Sequence, residues 1–351
     1  FSLSTVSNVT IKNTNIKNFD YGIGLVDSSN NSITANNITA NNRNGIYLFD
    51  SSSNSITANN ITANSGNGIG SYGSPDGGFS WYNSLTSNNI TANGEKGIEL
   101  SGYYTSIIGN NITANLWFGI ASYGVGAPGD LILGSSNNVI TSNNIAANGD
   151  GILILGSSNN VISNNITANH SDGIVGSGTY HIIRANNITA NNGCGIRLFG
   201  DLGITSNNSI ISNEIKANGA DGIWLSLSSN SSILSNNITD SLYSGIWLSD
   251  SSNNDSIIAN NLANNREGIG LNDISSGIIY HNNFINNTEQ VNRAFSTNFT
   301  SVWDNGFPSG GNYWSDYNGT DTNYDGIGDS PYIINTNNQD NYPLMSPWAP
   351  S

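Results

Sequence analysis

Oxygen-bearing side chains at alternate positions stand out near the end of this chain. In the segment Asp321-x-Asn323-x-Asp325-Gly326-x-x-Asp329 the donors recur every second residue and a glycine permits a sharp turn, which is how a loop wraps a hard divalent cation. The expected ion is calcium, held by Asp321, Asn323, Asp325, the Ile327 carbonyl and Asp329. Position twelve is Tyr332, not a bidentate acid, so the loop departs from the EF-hand pattern. A second group, Asp150 and Asp172, precedes glycines in consecutive repeats. Two carboxylates about 5 Å apart would suit glycoside cleavage, but Asp-Gly is also what a tight bend prefers. No Lys or Arg joins these acids, and Glu99 and Arg197 stand alone at their positions. The turn reading therefore leads, no catalytic residue is assigned, and Asp150 and Asp172 are fallback candidates for an enzyme.

Three histidines, His170, His181 and His281, fall in different repeats without metal-site spacing. The single Cys194 has no internal disulfide partner. Aromatic residues are more suggestive. Two stretches, 71–82 and 122–133, interrupt the repeat, and with Trp81, Tyr82, Tyr103, Tyr104, Trp117, Phe118 and Tyr123 they predict one aromatic cluster, a surface for sugar rings or another protein. Trp224 and Trp247 occupy the same outward position in successive repeats and are expected to stack about 4.8 Å apart on the exterior. The expected interface residues are Trp81, Tyr82, Trp117, Trp224 and Trp247.

The element that must position these groups is the repeat. Gly-Ile pairs at Gly22, Gly45 and Gly68 recur every 23 residues, each accompanied by Asn-Ile-Thr and by a third apolar residue such as Ile33 or Ile56. Short apolar stretches alternating with Asn, Ser and Thr have the period of strands. Three strands per turn predict an all-β, right-handed parallel β-helix, a pectate-lyase-like solenoid of about twelve coils. Ile46 and Leu48, Ile196 and Leu198, and their counterparts should point inward, the residue between them outward. Asn36, Asn59, Asn88, Asn110, Asn164 and Asn186 should form ladders at the bends, and each repeat glycine should sit where a side chain would clash or φ is positive. The helix is expected over 1–294 and an irregular cap with the calcium loop over 295–351.

Charged residues are 9% of the chain and the net charge is −15. No basic patch exists for nucleic acid, and no apolar run approaches a membrane span. Asn-x-Ser/Thr sequons abound because Asn-Ile-Thr is the repeat itself. Glycans are expected on loop positions, at Asn169, Asn298 and Asn318. A chain opening at Phe1 suggests a processed secreted protein or a piece of a longer one. The first strand, with only four residues before it, shows no cap, which suggests self-association into an oligomer or polymer.

The Asn-Asn-Ile and Asn-Gly-Ile repeats, together with Gly-Asn-Tyr-Trp-Ser-Asp-Tyr, Asp-Gly-Ile-Gly-Asp and Asp340-Asn-Tyr-Pro-Leu344, resemble the NosD-type (carbohydrate-binding and sugar-hydrolase, CASH) β-helix proteins, especially surface proteins of methanogenic archaea. The resemblance covers the whole chain. It implies an extracellular, cell-surface protein, and relatives include copper-site maturation factors, lyases, epimerases and envelope proteins. The leading expectation is a structural building block of an envelope layer, sheath or filament, partnered by itself. The alternative is a carbohydrate-binding or carbohydrate-active β-helix that contacts a cell-surface polysaccharide.

Overall fold

The computed structural model describes residues 1–74, 80–123, 135–200, 205–250, 252–272, 277–292 and 300–349. Most of the two interrupting stretches and Asn298 lie outside the described residues. The chain is a right-handed parallel β-helix of about twelve turns, divided into two compact units, Phe1–His181 and Ile182–Ser351.

In the first unit each coil contributes one strand to each of three parallel sheets. The first sheet runs from Ser2–Ser4 through Ile23–Val26 and Ile46–Phe49 to Ile174–Thr179, the second from Thr10–Lys12 to Asn160–Ile162, and the third from Asn15–Lys17 to Asn165–Thr167. Register is strict. Asn37 faces Asn60, Ile38 faces Ile61 and Thr39 faces Thr62. Because side chains alternate across a strand, the central Ile of each triplet enters the core. Ile23, Ile46, Ile38, Ile61, Ile33 and Ile56 are fully buried, each side chain contributing roughly 1.5–3 kcal/mol by burial.

The corners are built from asparagine. Asn36, Asn59, Asn88, Asn110, Asn143 and Asn164 are almost completely buried. Each Nδ2 donates to the next Oδ1 at 3.0, 3.0, 3.0, 3.0 and 2.9 Å, and the same Oδ1 accepts the neighbouring backbone N–H, as Asn59 Oδ1 does from Asn36 at 3.0 Å. A second column joins Asn41, Asn64, Asn93, Asn115, Asn148 and Asn169. The residue before each rung turns the chain through left-handed backbone, for example Ala35 (φ 53°), Ala40 (φ 53°) and Ala58 (φ 56°). That conformation costs an L-residue roughly 1–2 kcal/mol, which the satisfied amide offsets. The repeat glycine serves close approach: a Cβ on Gly45 would lie 2.5 Å from Ile61 Cγ2 and 2.8 Å from the Gly68 carbonyl. Asn169 corrects the glycosylation expectation. It is a fully buried rung, not a loop residue, and its Oδ1 accepts two bonds from Asn148, so no glycan fits there.

The second unit repeats the plan, with rungs Asn186, Asn213, Asn236, Asn260 and Asn282. Its tail packs on the last coil. Trp314 stacks on Phe284 and on Tyr332, both at 4.2 Å between ring centroids, and its indole N–H donates to the buried Asp340 at 2.9 Å. Asn312 accepts from Asn282 at 3.0 Å. Asn318, where a glycan is expected, is exposed on this tail. Burial pushes Asp340 up to about 6. At another corner, Asp255 stands in the inward column and accepts the Ser231 N–H at 2.8 Å. Burial pushes this carboxyl up to about 7.

Replacing Asn110 by Ala should cost about 2 kcal/mol or more, because Asn88 then loses the acceptor for both its backbone N–H and its side-chain amide. The outward Asn111→Ala should stay within about 0.5 kcal/mol. Denaturant titrations of the two variants measure the difference. Folded Asp255 keeps its proton to higher pH than the unfolded chain does, so the folded state binds more protons between about pH 4 and 7. The contribution of Asp255 to stability is therefore fully present below about pH 4 and is lost as pH rises through about 7. Asp255→Asn should flatten that part of the profile and raise the melting temperature at pH 8.

Candidate functional site

The outer face of the first sheet in Phe1–His181 carries an aromatic track. Tyr47 stands in register between Gly24 and Gly70, so the paired positions on the two adjacent strands carry no side chain. Gly70 also clears the way for Tyr72, whose ring lies 2.5 Å from where a Cβ would be. As a result Tyr21, Tyr47 and Tyr72 form a row with centroids 4.8 and 5.6 Å apart, flanked by Phe49 at 6.3 Å from Tyr47. Beside Tyr21 and Tyr47 opens a groove of about 330 Å³, also lined by Phe1, Phe19, Gly24 and Val26. Arg43 packs over the Tyr21 ring at 5.4 Å, donates to its hydroxyl at 3.1 Å and pairs with Asp20 at 3.3 Å.

The row ends in a buried polar node. Tyr72 Oη donates to Glu99 Oε2 at 2.6 Å. Asn67 Nδ2 donates to both Tyr72 Oη, at 2.8 Å, and Glu99. Lys96 Nζ donates to Glu99 Oε1 at 3.0 Å and lies 5.2 Å from the Trp117 ring and 5.5 Å from that of Tyr123. Burial and then the Glu99 charge push the Tyr72 phenol well above its usual range, so it remains a donor at any physiological pH. Glu99 is therefore not alone. Lys96 occupies the position before a repeat glycine and Glu99 the outward position three residues on. The signal is two opposite charges at i and i+3 in a chain of which only 9% is charged.

The single aromatic cluster expected around the interruptions is two clusters. Trp117 and Tyr123 belong to the node. Trp81, Tyr82, Tyr103 and Tyr104 make a separate corner platform, with Trp81 edge-on to Tyr82 and Tyr103 and Tyr82 stacked on Tyr104 at 5.1 Å. Both stacked tyrosines have positive φ, 55° and 56°, and are exposed. In the second unit Trp224 and Trp247 are in register but half-buried rather than exposed. Trp247 lies over Gly270, where a Cβ would meet its ring at 2.0 Å. Trp224 donates to Ser249 at 3.1 Å beneath the Arg197 guanidinium.

The acids before repeat glycines act as staples. Asp150 accepts the Asp172 N–H at 2.9 Å, and Asp221, pushed up to about 6 by burial, accepts that of Ser244 at 2.8 Å. In the tail, Asp321 accepts from the N–H groups of Asp325 and Gly326, and Asp325 from that of Ile327. Asn323 Oδ1 also takes the Asp325 N–H, and the Thr322 N–H holds Asp329 below the usual carboxylate range. Among the described residues no three His, Cys, Asp or Glu side chains gather as a metal-holding group. His181 is fully buried, accepts from the Asn159 N–H at 3.3 Å and is pushed down to about 4 by burial. His170 and His281 are bonded to the Asn148 and Ser309 carbonyls.

The family described as periplasmic copper-binding protein (NosD) matches residues 127–319, and the right handed beta helix region matches 1–113. Among solved structures, the Azotobacter vinelandii mannuronan C-5 epimerase AlgE4 A-module is similar with TM-score 0.63 and 13% identity over 86% of this chain and 91% of that one. The periplasmic alginate epimerase AlgG gives 0.52 and 14% over 80% and 76%. Pectate lyase Pel9A gives 0.51 and 15% over 81% and 72%. These likenesses are of fold. No curated protein matches the chain. Among the described residues the copper in the family description finds no ligand set: the three histidines lie apart, each bonded to backbone groups, and one Cys and one Met complete the soft donors, short of what a copper site requires.

Removing the cation of the node should be costly. Lys96→Ala leaves Glu99 buried without a counter-charge and is expected to destabilise by about 3 kcal/mol. Adding Glu99→Gln should recover part of that loss, a coupling that a double-mutant cycle in urea measures.

Proposed function

The chain belongs to the periplasmic copper-binding protein (NosD) family, and on that premise we propose that it is a β-helix of the cell exterior that binds an extended polysaccharide along the outer face of its first sheet. The observation that carries this is the row Tyr21, Tyr47 and Tyr72. Sugars present apolar C–H faces to aromatic rings, while the hydroxyls of Tyr21 and Tyr47 at the ring edges fix orientation. Rings repeated along one face suit a ligand that repeats as well. Mannuronan, alginate and pectate in the names of the similar structures agree with the reading by analogy of fold, which does not carry it. Among the described residues no helix is long and apolar enough to cross a membrane.

The second reading is the building block of an envelope layer, sheath or filament, and the exposed platform of Tyr82 and Tyr104, off the track, favours it. There the aromatic surface would be covered by another copy. Affinity electrophoresis through polysaccharide gels decides. Tyr47→Ala should weaken retardation at least tenfold, while Phe307→Ala, on an exposed tail aromatic, should leave it unchanged. Assemblies in sedimentation that disappear in Tyr82→Ala, with no polymer retarding the protein, would reverse the order of the two readings.

For the tail loop we propose calcium as the ion held by Asp321, Asn323, Asp325, Asp329 and the Ile327 carbonyl. The alternate oxygen spacing and the left-handed Gly326 (φ +88°) support it. Calcium at about a hundredfold its dissociation constant should stabilise by about 2.7 kcal/mol, an effect absent in Asp325→Asn. An unchanged melting temperature and tail proteolysis pattern under a chelator would exclude the ion.

A further inference from the structure

The charge on the aromatic face narrows its ligand. In the unit Phe1–His181, Lys12 and Lys17 sit on strands of the second and third sheets, which leaves Arg43 and Lys96 as the side-chain cations beside the track. Each is already matched one-for-one by an acid of the same face. Arg43 pairs with Asp20 at 3.3 Å, and Lys96 pairs with Glu99 at 3.0 Å while its ammonium faces the Trp117 and Tyr123 rings. Asp50, on the same side, is bonded to the Ser74 N–H at 2.7 Å and adds a negative charge. The chain as a whole carries −15.

A polyuronate brings one carboxylate per sugar. To bind here it would have to displace Asp20 from the exposed Arg43, break the nearly buried Lys96–Glu99 pair, or set its carboxylates on the face without a counter-charge, against a field of its own sign. A polymer of uncharged sugars meets none of these obstacles and gains the stacking that the half-buried rings leave open. Resting on the polysaccharide reading above, we infer that the track takes an uncharged polysaccharide, one lacking carboxylate and sulfate, in contrast to the polyuronates in the names of the structures it resembles.

The test is affinity electrophoresis of the full chain, with a chelator present, through gels containing soluble β-glucan, mannan, xylan or galactan, or else alginate or polygalacturonate. At least one neutral polymer should retard the wild type and the polyuronates should not. Asp20→Asn releases Arg43 at an exposed position, where folding is not at stake. It should confer at least a threefold gain in retardation by a polyuronate, lost again at high salt. Glu99→Gln should do the same at the node if circular dichroism shows it folded, and Asp20→Asn decides the matter if it is not. Salt-sensitive retardation of the wild type by a polyuronate would overturn the inference, and so would a folded Asp20→Asn without any gain. Retardation by neither class would overturn the polysaccharide reading itself.

Discussion

A buried primary amide needs partners on both its nitrogen and its oxygen, and in this molecule the repeat distance between coils is also the distance at which one amide reaches the next. Strands in a parallel sheet are separated by about 4.8 Å. At that spacing Asn59 accepts from Asn36 and donates to Asn88, both at 3.0 Å. The inward polar column thus imposes the coil height, the register and the corner geometry together. A coil one residue out of register would leave amides orphaned in the interior, at about 1–3 kcal/mol each, besides turning its isoleucines outward. The tolerance for left-handed Ala, Ser and even Tyr at the corners follows, because the strain is local and the ladder is continuous.

Strict register has a second effect on the outside. It aligns outward residues into columns as firmly as inward ones, so the composition of a column becomes a surface. Where glycine alternates with tyrosine, as at Gly24, Tyr47 and Gly70, rings have room to lie along the sheet. Where an acid and a lysine take corresponding places, as at Glu99 and Lys96, a nearly buried ion pair forms at the end of the ring track. The functional face needs no element of its own.

The parts of this architecture that depend on one residue per coil were legible in the sequence. The Ile columns, the Asn columns and the three-strand coil all follow from identity repeated at fixed spacing. What depended on two columns at once was not. Lys96 and Glu99 meet because the residue before the glycine and the outward residue lie side by side, which the period does not reveal. Trp247 looked exposed because its own column faces outward, yet the glycine opposite, Gly270, lets it settle against the sheet. Asn169 looked like a loop sequon because it follows the repeat Ala as any rung does, and the glycosylation motif and the ladder motif share that asparagine.

The amide columns also have a direction. In the inward columns an Nδ2 gives one hydrogen to the Oδ1 of the following coil and the other to a carbonyl of the preceding one, as Asn59 does to Asn88 and to Ile33, so the amide clamps two coils and its Oδ1 partner comes from the coil that follows. Asn282 would be left with an open donor were it not for Asn312, a tail residue that supplies the final acceptor. The tail is therefore a terminator of the polarity built up by the coils before it, and the irregular segment completes a periodic one.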